Sequence, residues 1–127
     1  MLDHIGIRVA DPEKAKEFYK KALAPLGYSV LMEFPEFNVF GMGVEGAMPD
    51  FWVSPAKDAG GAQHVAFSGR DKAAVDNFYK EAIAAGGTDN GEPGYRKEYT
   101  AGYYGAFVKD ADGHNIEVVF HDPKPSA

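Results

Sequence analysis

The chain has no cysteine, which excludes disulfides, thiolate metal sites and a cysteine nucleophile. No apolar run approaches the roughly 20 residues that a membrane-spanning helix needs, and no basic n-region precedes an apolar stretch at the start. Positive charge is in short supply: 13 Lys and Arg against 19 Asp and Glu leave a net charge of −6, and the basic residues form no stripe. Nucleic acid and anionic membrane surfaces are therefore poor partners on electrostatic grounds. These absences lead to the expectation of a soluble, cytoplasmic protein.

What is present is a repeat. Residues 4–27, HIGIRVADPEKAKEFYKKALAPLG, align without a gap on residues 64–87, HVAFSGRDKAAVDNFYKEAIAAGG, and share eight identities, His4/His64, Asp11/Asp71 and Phe18/Phe78 among them. At 127 residues, 45% hydrophobic, the chain can bury one ordinary core, so the repeats are read as halves of a single domain, 1–127. Module one covers 1–54, a short linker 55–62, and module two 63–122. Two copies packed about a pseudo-twofold axis bring equivalent positions together.

Each module reads β-α-β-β-β. Residues 3–9 alternate, with Ile5, Ile7 and Val9 on one side and His4, Gly6 and Arg8 on the other, the period of a half-buried strand. Asp11 with Pro12 behind it caps a helix of about four turns whose apolar stripe runs to Gly27. The second copy repeats the plan, with a strand over 63–68, Asp71 as cap and Gly86-Gly87 as stop. Further strands are expected near 28–34, 37–44 and 50–54, and near 95–99, 103–109 and 115–120. Asp112-Gly113 is expected to supply the positive dihedrals of a tight hairpin turn. His114 in that turn is expected to be solvated, and the Pro-rich tail from His121 to fray.

His4, His64 and Glu117 all fall on the polar side of their strands. Two imidazoles and a carboxylate form a facial set suited to a divalent first-row metal with open positions. Small residues on the same faces, Gly6, Ala66 and Ser68, leave room for a ligand. A histidine at a strand start is also an ordinary surface residue, but two of the chain's four stand at equivalent repeat positions.

The segments DHIGIRVADPEKAKEFYKKAL, QHVAF and YYGAFVKDADGHNIEVVF together resemble the vicinal oxygen chelate superfamily: glyoxalase I, extradiol dioxygenases, fosfomycin resistance enzymes and bleomycin resistance proteins. DADG stands where that family has DPDG. The resemblance implies an α+β fold in which two tandem βαβββ modules form a curved, mixed eight-stranded sheet with helices on the convex face. It also implies one divalent metal ion (Fe, Ni, Mn or Zn) on His4, His64 and Glu117, and a homodimer. The modules either pair within one chain or are exchanged between two.

The departures matter as much. Glyoxalase I has a further glutamate ligand where DFWVS places Trp52, and a tryptophan cannot ligate; only a register shift would offer Asp50. The acid-base tyrosine of the dioxygenases falls on Phe107, and no histidine lies between His64 and His114. Tyr103, four residues earlier on the same strand face, is the candidate catalytic substitute, or an aromatic packing along the sheet. Arg8 is a candidate for holding a substrate carboxylate, phosphonate or enolate, or a solvated strand end. Trp52 is a candidate stacking wall, or core, and His121 a candidate for the cavity mouth. The leading expectation is a metal-dependent glyoxalase-like lyase or isomerase. The alternatives are an extradiol-type dioxygenase, a fosfomycin-type thiol transferase and a metal-free binder like the bleomycin resistance proteins.

Overall fold

The computed structural model describes residues 1–56 and 61–125. Residues 57–60 of the expected linker lie outside it. In chain order the elements are β1 (Ile5–Val9), α1 (Pro12–Ala22), β2 (Tyr28–Phe34), β3 (Val39–Val44), β4 (Phe51–Pro55), β5 (His64–Ser68), α2 (Lys72–Ala84), β6 (Thr88–Tyr95), β7 (Tyr103–Lys109) and β8 (Asn115–His121). Each module is thus βαβββ. The eight strands are hydrogen-bonded as two four-stranded mixed sheets, β1-β4-β3-β2 and β5-β8-β7-β6. The first strand of each module runs parallel to the last, and the other neighbours are antiparallel.

Both helices start as the caps require. Asp11 accepts from Lys14 N–H and Asp71 from Ala74 N–H, which satisfies an otherwise orphaned donor in each first turn. The first helix stops at Ala22, short of Gly27, because Pro25 lacks the N–H that would continue it; a 3₁₀ turn over Ala24–Leu26 follows. Phe18, Tyr19, Ala22, Val75, Phe78 and Ala82 are buried against Ile7, Val9, Val53, Ile116 and Val118 in one core. Aromatic edges cross from one module to the other, with Phe51 meeting Phe67 at 5.2 Å and Tyr28 meeting Phe67 at 5.4 Å between ring centroids. The two repeats thus share one hydrophobic core.

Several sequence expectations are corrected. The sixth strand lies at Thr88–Tyr95 rather than near 95–99. Gly91, Pro93 and Gly94 read as loop, but this is an edge strand with two register shifts, where proline and bulges are tolerated. In the β7–β8 turn only Gly113 takes a positive φ, 83°; Asp112 does not. Its carboxylate instead reaches across the molecule to accept from Ala10 N–H at 2.8 Å. The tail is also tied at its root: Tyr95 OH donates to Asp122, and Asp122 N–H donates to Gly102 O.

The largest correction concerns His114, which is 3% exposed and not solvated. Nδ1 accepts from Gln63 N–H at 2.9 Å, so the ring proton sits on Nε2, which donates to Arg8 O at 2.8 Å. One ring thereby joins the end of β1 to the start of β5. Beneath it Asp110 accepts from His114 N–H, Asp112 N–H and the buried Tyr19 hydroxyl, so the turn is anchored to α1. Asp110 and burial together hold the Tyr19 phenol well above its usual range, burial being the larger cause.

Candidate functional site

The open face of module two follows from strand register. Glu117 on β8 lies opposite Phe107 on β7 and beside Ala66 on β5, so its side chain leaves the sheet on the side away from α2. It is 1% exposed, and an ionised carboxylate so buried is costly unless its oxygens are bonded. Both are. His64 Nε2–H donates to Oε1 at 2.8 Å, and the Tyr103 hydroxyl donates to Oε2.

Three of the expected site residues therefore meet: His64, Glu117 and Tyr103. The Tyr103 hydroxyl stands on the Glu117 carboxylate, and its ring is packed edge-on by Tyr99 and by His121, at 5.0 and 5.3 Å. Burial and the Glu117 carboxylate push the Tyr103 phenol up to about 12, so it is a proton donor at neutral pH. His121, exposed, borders this aromatic group.

His4 stands apart. It is exposed, with Nδ1 2.6 Å from Asp3 Oδ1. Arg8 is where β1 meets the start of β5, and His4 lies four residues earlier, roughly 13 Å along an extended strand. His4 and His64 line one groove of about 430 Å³ together with Asp50, Tyr28 and Ser68. Among the described residues no three histidines or carboxylates form a group able to hold a metal ion. Asp50 offers no replacement, because β4 keeps its register with Trp52 opposite Gly6 and Gly41, and Tyr28 OH donates to the Asp50 carboxylate at 2.8 Å.

Trp52 and Arg8 occupy the corresponding face of module one. Trp52 is half-buried and stacks on Phe34 with ring centroids 6.2 Å apart. It lies over Gly41, where an added Cβ would come within 2.8 Å of the indole. The Arg8 side chain is exposed, and no ion pair engages it among the described residues.

Residues 1–118 match the family model of the Glyoxalase/Bleomycin resistance protein/Dioxygenase superfamily. No curated protein matches the chain. Among solved structures, a glyoxalase/bleomycin resistance protein from Albidiferax ferrireducens T118 is 25% identical, with a TM-score of 0.78 over 94% of this chain and 98% of its own. A family enzyme from Burkholderia phytofirmans PsJN is 17% identical with a TM-score of 0.72, covering 93% of this chain and 96% of its own. The fosfomycin resistance protein FosX from Listeria monocytogenes, also 17% identical, has a TM-score of 0.70 and covers 94% and 92%. With the family model spanning nearly the whole chain and the paired βαβββ modules in place, this chain belongs to the glyoxalase/bleomycin resistance protein/dioxygenase superfamily.

Proposed function

We propose that the chain is a divalent-metal-dependent, glyoxalase-like enzyme of lyase or isomerase type, acting on a small substrate that presents two vicinal oxygens. The observation that carries this reading is the Glu117 carboxylate, buried yet bonded on one side to an exposed imidazole and on the other to a phenol. Cis ligands on an ion with bonds of 2.0–2.2 Å lie about 3 Å apart. The 2.8 Å between His64 Nε2 and Glu117 Oε1 is close to that spacing, so these two atoms would fit such an ion once it took the place of the proton between them. Tyr103 on Oε2 leaves Oε1 as the ligating oxygen and orients the carboxylate from behind.

The third donor, His4, does not join the pair within one chain. A second copy supplies it in this proposal, making the enzyme a homodimer with sites shared between chains. When bound, a divalent ion polarises the substrate carbonyl and stabilises negative charge on its oxygen. The protein's own part is to hold the substrate over Glu117 and to exchange a proton through Tyr103.

The test is metal content after anaerobic reconstitution with Fe(II), Ni(II), Mn(II) or Zn(II). Wild type binds close to one ion per chain, while His4→Ala, His64→Ala and Glu117→Ala do not. Refolding His4→Ala together with Glu117→Ala restores one intact site per mixed dimer, which a site built inside one chain cannot do. Wild type that takes up no metal removes the reading. Hemithioacetal turnover set against oxygen uptake with catechols then separates an isomerase from a dioxygenase.

A further inference from the structure

The open face of module two carries one more charge, Arg96, in the segment between β6 and β7. Its guanidinium lies over the Phe107 ring at 5.4 Å, and the His64 ring lies 6.5 Å from that of Phe107 between centroids. Nη1 donates to Gly94 O at 2.8 Å and Nη2 to Glu92 O at 2.7 Å. Two backbone carbonyls and an aromatic face therefore fix the plane of the group, in a side chain that is half-buried.

The strand is shaped to admit it. A Cβ on Gly94 would stand 3.2 Å from Nη1 and one on Gly91 3.1 Å from Nη2, so glycine at both positions leaves the guanidinium its place. No carboxylate among the described residues forms an ion pair with it, in a chain that carries six more acidic than basic groups. Of the five N–H donors of a guanidinium, two are used and three remain for an incoming acceptor.

We infer that Arg96 forms an anion subsite on this face, taking the carboxylate or phosphonate group of a substrate whose vicinal oxygens lie toward His64 and Glu117. The word substrate rests on the function proposed above; the anion site itself does not. A fixed planar fork suits a bidentate oxyanion and costs little reordering when one binds. The substrate class narrows accordingly to small oxyanions that are also oxygen chelators.

Inorganic phosphate and acetate are titrated separately, at low ionic strength, into metal-free and Zn(II)-reconstituted protein. The Arg96 Nε–H and the Phe107 ring are followed by NMR, with metal content measured on the same samples. Saturable shifts at these two groups are expected, and Arg96→Gln weakens binding by about tenfold or more, as loss of a charged bidentate contact does. Arg96→Lys keeps the charge but not the fork, recovers part of the affinity and controls for misfolding of the first variant. Binding of phosphate alone selects phosphonates; binding of both selects carboxylates as well. Shifts as large in Arg96→Gln as in wild type, or confined to the groove of Lys20, Lys21 and Lys80, overturn the proposal. Phosphate at Arg96 without metal uptake sinks the metal reading and leaves the subsite. Metal uptake without any anion at Arg96 does the reverse.

Discussion

Replacing His114 by alanine should unlock the two modules from each other. The ring is 3% exposed and serves two backbone partners from different modules, Arg8 O and Gln63 N–H. Truncation leaves both without a partner, and an orphaned group of this kind costs about 1–3 kcal/mol when buried. These two hydrogen bonds are only partly buried, so entering water offsets some of the loss. A net destabilisation of about 2 to 3 kcal/mol is expected, equivalent to a fall of roughly 10 °C in Tm for a chain of this size. Urea unfolding followed by circular dichroism reads it as a lower midpoint at unchanged slope. His121→Ala, at an exposed position, serves as the control and should stay within about 0.5 kcal/mol. Amide exchange at Gln63 and His64 should also quicken, because the bond that holds the start of β5 is gone. A loss below about 0.5 kcal/mol in His114→Ala, indistinguishable from the control, would refute the idea that this ring couples the modules.

Tyr103→Phe removes the donor from Glu117 Oε2 and should weaken metal binding by about tenfold while leaving the fold intact, read by competition with a chromophoric chelator. Unchanged affinity would remove Tyr103 from behind the ligand. Gly41→Ala sets a methyl 2.8 Å from the indole of the only tryptophan, so the emission of Trp52 should shift and stability fall by about 1–3 kcal/mol; an unshifted spectrum would contradict the packing. Tyr103 and Tyr104 keep their protons up to about 12, and Tyr19 and Tyr28 are raised as well, in every case chiefly by burial. The unfolded chain gives up those protons near 10, so the folded state binds more protons between about 10 and 12. Stability is then full below about pH 10 and falls as the pH rises toward 12, and a urea midpoint that stays level over that window would refute the burial of these phenols.

The repeat, both helices and the facing of His64 and Glu117 are all readable in the chain, because each depends on local periodicity and on strand alternation. The sixth strand is not, since Gly91, Pro93 and Gly94 carry loop chemistry and only pairing with β7 makes them a strand. His114 deceives for a related reason. Its neighbours spell a turn, and the partners that bury it, Arg8 and Gln63, are remote in sequence. Arg96 escapes notice as well, because two carbonyls and a ring, none with any sequence signature, hold it in place. That His4 completes no three-ligand group with His64 and Glu117 among the described residues has the same origin: how two edge strands meet is decided by the packing between modules.

The grip of the β7–β8 turn on the first strand engages main-chain atoms alone, Arg8 O through His114 and Ala10 N–H through Asp112. This particular grip is thus blind to which side chains β1 displays on its open face. The open face of that strand is free to drift in composition, and with it the ligands it greets, while the joint beneath stays as it is. The exception is proline at position 10, which would strip away the amide that Asp112 needs.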